Sequence, residues 1–382
     1  MLRIGVVGLR RGLTYLRLAR LMEDRVRIVA ACDKNDKMID LARKEFPNIS
    51  YYRSFKDLLR DSRVEAVVIA TPMPLHAEQS IECLRAGKHV LCEVAAFMRE
   101  DEAEPLIKTV EETDLIYMLA ENVVYTRPNL MVWNMVEKGV FGELVYAEGD
   151  YIHDCKSLNF KEDGTLTWRG RIRRELTGNT YPTHAVGPVA KWLGIGVKDK
   201  FLELASFSSG SRALPLYVRE KFGSSHPGSD RGFWRQGDMV VTLIRTEQER
   251  LILLRYDTAS NRPHIPTTHH LLQGTKAAYL SPRWSGDDPL IWIEGESGSD
   301  WENLWRYAER FEHPLWVEKA KGLGHGGGDY IVFSEFINSV RTGRSAINVY
   351  EASAWSMIIP LSKKSEESGG KPVKFPEYLW IY

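Results

Sequence analysis

Three things are scarce in this chain. The first is cysteine: 382 residues carry only Cys32, Cys83, Cys92 and Cys155. Their spacing fits no zinc pattern, and a disulfide framework is not expected in a chain of this size. Cys32 and Cys92 end apolar strands and read as plain buried thiols in a reducing, cytoplasmic compartment. The second is net charge. Lys+Arg and Asp+Glu balance at 51 each, so neither nucleic acid nor an anionic membrane is expected as a partner. The third is a long apolar run: none approaches the roughly 20 residues of a membrane helix. Met1-Leu2-Arg3-Ile4-Gly5-Val6-Val7 enters a strand at once, without the basic and apolar segments of a signal peptide.

What is present is enough for two domains, with an ordinary hydrophobic share of 43% and charged share of 27%. Up to about residue 120, apolar strands alternate with helices. The strands are Ile4–Val7, Val26–Cys32, Ala66–Ala70, His89–Cys92 and Leu115–Ala120. The helices are Leu13–Met22, Met38–Phe46, one capped by Ser54, Ala77–Ala86 closed by Gly87, and Arg99–Glu112. Fully apolar strands in βαβ order indicate a doubly wound parallel sheet. From Glu121 the texture changes. After a helix at Asn129–Lys138, longer alternating strands appear at Leu144–Tyr151, Phe201–Phe207, Met239–Arg245, Leu251–Tyr256 and His269–Gln273. They suit a largely antiparallel open sheet with one face packed. The fold class is therefore α/β: a Rossmann domain over 1–121, then an α+β domain over 122–382 whose last helix packs back on the first. Residues 223–232, rich in Gly and Ser, read as a flexible loop serving as a lid, a subunit contact or a plain surface excursion.

The dinucleotide fingerprint G-x-G-x-x-G appears in altered form as Gly8-Leu9-Arg10-Arg11-Gly12-Leu13. Gly8 makes the tight turn, Arg10 takes the second glycine's place, and Gly12 comes one residue before the third. The following helix offers its N-terminus to a pyrophosphate, with charge from Arg10. Asp33, at the end of the second strand, suits ribose hydroxyls and repels a 2′-phosphate. The expected cofactor is NAD.

Ala70-Thr71-Pro72-Met73-Pro74-Leu75-His76 and Ala86-Gly87-Lys88-His89-Val90-Leu91-Cys92-Glu93 resemble the Gfo/Idh/MocA oxidoreductases. The resemblance implies that Thr71, Pro72 and His76 line the cofactor and that Glu93 lies near the nicotinamide. In that family the fifth strand normally ends in Glu-Lys-Pro, and the lysine handles a hydroxyl proton. Here Val94 and Ala95 follow Glu93. A later family pattern sets an aspartate four residues before a histidine; here Thr180 precedes His184. An ordinary dehydrogenase would have lost two of its three polar groups.

One subgroup looks like this chain at the same places: the NAD-dependent glycoside hydrolases of family 109, typified by α-N-acetylgalactosaminidases. The matching segments include Glu93-Val94, Glu121-Asn122, Tyr151-Ile152-His153-Asp154, Tyr181-Pro182-Thr183-His184 and Gly324-His325-Gly326-Gly327-Gly328-Asp329. The subgroup usually keeps a proline after the valine, and Ala95 departs from that. The mechanism this likeness implies is transient oxidation at C3 of a sugar, deprotonation at C2, elimination at C1, addition of water and re-reduction. It assigns His184 with Tyr181 to the C3 hydroxyl and Tyr151 or Glu121 to the C2 proton. His325 or Asp329 is assigned to sugar binding, and Trp168-Arg169-Gly170-Arg171 reads equally as a substrate clamp, through Trp168 and Arg169, or as a basic surface loop. Histidine suits proton transfer near neutrality, and a tyrosine near a positive nicotinamide is expected to have its pKa lowered. Glu93, Val94 and Asn122 join the cofactor set. The alternatives are a plain sugar or polyol dehydrogenase and a non-catalytic sensor of dinucleotide and sugar. His153 and Asp154 are metal-ligating types, but nothing in the sequence completes a ligand set, and no metal is expected. By analogy with the family's open sheets, a homo-oligomer, dimer or tetramer, is expected.

Overall fold

A computed structural model describes residues 1–380. It falls into two compact units, Met1–Thr126 with Val317–Ser356, and Arg127–Trp316 with Met357–Tyr382. The first unit therefore takes in Val317–Ser356 as well as the amino-terminal segment.

The first unit is built on six strands: β1 (Leu2–Val7), β2 (Val26–Cys32), β3 (Ser50–Tyr52), β4 (Ala66–Ile69), β5 (His89–Cys92) and β6 (Tyr117–Leu119). Their order is β3-β2-β1-β4-β5-β6, and every pairing is parallel. Val67, Val68, Val90 and Leu91 are fully buried, as both-face coverage by helices requires. Chain order reverses between β1 and β4, which opens a crevice at the carboxyl ends of the strands. Ser54 stands at the start of helix Phe55–Arg60, but its hydroxyl makes no capping bond. The helix expected from Arg99 begins instead at Ala103, after a 3-10 turn over Glu100–Glu102. All four cysteines are free and buried.

The second unit carries a nine-stranded sheet: β7 (Leu144–Ile152), β8 (Phe201–Ser208), β9 (Val240–Thr246), β10 (Leu251–Asp257), β11 (Thr268–Gly274), β12 (Ala277–Leu280), β13 (Leu290–Ile293), β14 (Glu302–Asn303) and β15 (Val373–Lys374). The order is β14-β13-β12-β11-β7-β10-β9-β8-β15. Only β7 and β10 run parallel; the other pairings are antiparallel. Helix Thr183–Leu193 lies on β7, β10 and β11. Gly149 permits this approach, because a Cβ there would come within 2.1 Å of Ala185 O. The opposite face is open, and Phe207, Leu243 and Leu251 are exposed.

The segment read as a flexible loop holds two 3-10 turns, Pro227–Ser229 and Arg231–Phe233. Trp234 Nε1 donates to Gly228 O at 2.9 Å, and Gly228 N–H donates to His226 Nδ1 at 3.0 Å. Among the described residues no helix is long and apolar enough to cross a membrane.

Candidate active site

The nucleotide end begins where β1 stops. Gly8 has φ +88, and a Cβ on it would lie 2.4 Å from Ala70 O. Only glycine makes that turn without strain. A Cβ on Gly12 would lie 2.6 Å from Val6 Cγ1, so Gly12 provides the close helix–strand packing of the fingerprint's third glycine one place early. Arg10 is exposed on the first turn. Asp33 Oδ2 accepts Leu9 N–H at 2.7 Å, and Oδ1 accepts Asn35 N–H at 2.8 Å. The carboxylate at the end of β2 is therefore fixed beside the turn.

Further along the same sheet edge, Thr71 Oγ1 donates to Gln79 Oε1 at 2.6 Å. His76 is buried, and its two ring nitrogens face carbonyls: Nδ1 is 2.7 Å from Ala95 O and Nε2 is 2.8 Å from Thr71 O. Carbonyls only accept, so both nitrogens must carry protons and the ring is an imidazolium. Burial alone lowers its pKa, but Cys92 and the two carbonyls raise it to about 9. His76 thereby ties the segment after β4 to the segment after β5. Val94 is buried, and the Val94–Ala95 peptide is cis.

Glu93 Oε1 accepts Arg11 Nε at 2.8 Å and the Tyr15 hydroxyl at 2.6 Å. Arg11 also grips Asp329, with Nη2 to Oδ1 at 2.6 Å and Nη1 to Oδ2 at 3.0 Å. Asn122 Nδ2 donates to Asp329 Oδ1 at 2.7 Å, and His325 Nδ1 to Oδ2 at 2.9 Å. Burial pushes the Asp329 carboxyl up, but His325 and Arg11 outweigh it and hold the acid well below the usual range. The Asp329 bond raises His325 above its ordinary value, against burial. Glycines shape this corner. A Cβ on Gly324 would lie 2.2 Å from Asp329 Oδ2, and one on Gly328 would lie 2.1 Å from Asn122 O. Glu121 is fully buried and caps the next turn, with Oε1 accepting Val123 N–H at 3.1 Å.

The second unit holds an aromatic and imidazole cluster. Residues of one parity on β7 face helix Thr183–Leu193. The Tyr151 ring lies 5.1 Å from Tyr181 and 5.2 Å from His184, and Tyr181 and His184 are 5.2 Å apart. Tyr256, on neighbouring β10, stacks at 6.3 Å on Tyr151. His270 Nε2 donates to His184 O at 3.2 Å and anchors the helix start; burial lowers its pKa to about 4. Burial, then Tyr181, raises the Tyr151 phenol well above its ordinary value. Thr180, in the family's aspartate position, is buried and accepts from Gln236 Nε2 at 2.8 Å. Asn179 N–H donates to Ser362 Oγ at 2.9 Å, which fixes the approach to Tyr181. The Arg169 guanidinium stacks 4.2 Å over Trp168.

The structure therefore brings together Arg11, Glu93, Asn122, His325 and Asp329 in one unit, and Tyr151, Tyr181 and His184 in the other. Trp168 and Arg169 lie in the second unit, while His325 and Asp329 belong to the first. Sequence reasoning missed Tyr15, Tyr256, His270, Cys155 and His264. Tyr15 lies four residues after Arg11 on one helix, a spacing that shares a face. His264 carries no local signal at all.

Two family profiles match the chain. One, described as oxidoreductase family, NAD-binding Rossmann fold, covers residues 2–121. The other, described as glycosyl hydrolase 109, C-terminal domain, covers residues 125–380. A glycosyl hydrolase family 109 protein of Solibacter usitatus is 36% identical over 98% of this chain and 88% of its own length. One from Shewanella sp. (strain W3-18-1) is 32% identical over 98% and 84%. Among solved structures, levoglucosan dehydrogenase in complex with NADH and levoglucosan superposes with a TM-score of 0.79 at 19% identity, covering 98% of this chain and 99% of that one. The apo scyllo-inositol dehydrogenase of Lactobacillus casei gives 0.68 at 16%, covering 98% of each.

Proposed function

We propose that this chain, which belongs to glycosyl hydrolase family 109 and is an enzyme of NAD-binding oxidoreductase fold, hydrolyses a glycoside by transient oxidation at C3. One observation carries the proposal. The chain has a packed Tyr151–Tyr181–His184 cluster, and buried Val94 takes the position where a lysine would move the proton.

The residues present suit the dinucleotide. Gly8 and the start of helix Leu9–Arg20 receive the pyrophosphate with Arg10, Asp33 takes the ribose, and Thr71 and Pro72 line the crevice. Asn122 Oδ1 is buried without a partner among the described residues, an acceptor suited to a carboxamide. Glu93 is held by Arg11 and Tyr15. NAD supplies a hydride acceptor that later returns the hydride. Arg11 puts positive charge beside Glu93, yet a guanidinium does not give up its proton. Acid–base work thus falls to other groups.

His184 with Tyr181 takes the C3 hydroxyl proton. Tyr151, or Glu121, removes the C2 proton once the C3 ketone has acidified it, and the C1 group leaves. Water then adds, and the steps reverse. This path needs no carboxylate pair flanking the scissile bond. In the second unit Trp168 and Arg169 contact the sugar; in the first, Asp329 positions the half-exposed His325 for the same role. The open sheet face, with exposed Phe207 and Leu243 and charges of both signs at Glu203 and Arg245, pairs with a second copy.

The test is turnover of aryl glycosides with and without added NAD⁺. Hydrolysis without net NADH supports the proposal. Net NADH from a free sugar would instead favour a dehydrogenase, the activity named for the structures of like fold.

A further inference from the structure

We propose that His153, Cys155 and His264 form a zinc site at the end of β7, with a fourth position left for water. The first support is distance. His153 Nδ1 lies 3.2 Å from His264 Nδ1, and Cys155 Sγ lies 3.5 Å from His153. One ligand atom from each residue falls within 4.8 Å of the others. Zinc sits about 2.3 Å from sulfur and about 2.0–2.1 Å from nitrogen in a tetrahedron, which sets nitrogens about 3.4 Å apart and sulfur about 3.6 Å from nitrogen. Two of the three edges already have these lengths. The third edge, from Cys155 Sγ to His264, is within 4.8 Å, and a rotation of the exposed His264 closes it.

The second support is chemistry and access. One thiolate with two imidazoles is a donor set for zinc. His153 and Cys155 are buried in the segment that follows β7, whereas His264 is exposed on the β10–β11 loop. An ion enters from solvent onto two fixed ligands and closes the third over itself. The neighbouring Asp154 carboxylate is bonded to Lys156 Nζ at 2.7 Å and stays outside the set. On binding, the Cys155 thiol gives its proton to solvent, and both imidazoles coordinate as neutral rings. The ion pins the loop over residues 258–267 to the strand that carries Tyr151. The site does not depend on the glycosidase reading.

The test uses the full chain, stripped with a chelator and titrated with Co²⁺ and then Zn²⁺. One equivalent of Co²⁺ should bind with a thiolate-to-metal charge-transfer band and tetrahedral visible bands, and Zn²⁺ should displace it. Cys155→Ser should abolish the charge-transfer band. His264→Ala should weaken Zn²⁺ binding at least about tenfold, the lower end of what losing even an outer-shell partner costs. No stoichiometric uptake by the unaltered chain would overturn the proposal, and so would uptake unchanged in both variants. The unaltered chain decides the matter even if a variant fails to fold.

Discussion

Arg11 and Asp329, 318 positions apart, meet through two parallel hydrogen bonds of 2.6 and 3.0 Å. The same guanidinium holds Glu93 through Nε. One side chain thus joins the first helix, the end of β5 and the returning segment Val317–Ser356. Asp329 is 1% exposed and Arg11 26%, so removing the acid leaves a largely buried guanidinium with Glu93 alone to balance it. Asp329→Ala is expected to cost about 3 kcal/mol in urea denaturation. Arg11→Lys cannot keep the fork and the Glu93 bond together, and should release NAD during purification.

His325 and Asp329 make a pH-dependent latch. The raised pKa of His325 gives stability that is full below about 6.5 and is lost as pH rises through the folded value. The depressed Asp329 gives stability present above about 3.9 and lost as pH falls through its folded value. The latch is tightest between those limits. An NMR titration should place His325 above the ordinary histidine value, and Asp329→Asn should bring it down.

His76 should carry two ring protons at neutral pH. Long-range nitrogen-15 correlation should show both nitrogens protonated, with loss only as pH approaches about 9. Its contribution to stability is full below about 6.5 and fades as pH rises through that folded value. A bare nitrogen at pH 7 would refute the bonding described.

Gly149 sets the distance between Tyr151 and His184. Gly149→Ala drives a methyl against Ala185 O and should lower kcat by roughly a hundredfold, the cost of a displacement near 1 Å. NAD retention should be unchanged, since the residues proposed for the cofactor lie in the other unit. His184→Ala should lose about 10²- to 10⁴-fold in kcat.

Much of the architecture was legible from sequence. β1, β2, β4 and β5 announce themselves because strands buried on both faces read as apolar runs. β12 and β13 escaped because four-residue strands leave too little alternation to detect. The ordered turns around Gly228 escaped because Trp234, which pins them, lies beyond the Gly-Ser stretch. Motifs singled out Glu93, Asn122, Tyr151, Tyr181 and His184 as candidates. They could not show that Asp329 is saturated by Arg11, Asn122 and His325, nor that Thr180 pairs with Gln236, because those partners meet only in the fold. His264 lies 111 positions from His153, too far for spacing to suggest a ligand set.

The most direct measurement is hydrolysis of an aryl glycoside in D₂O, with the product sugar examined by NMR. Oxidation followed by elimination predicts deuterium at C2, retained configuration at C1 and no net NADH. Hydrolysis with C2 fully protonated would contradict the account.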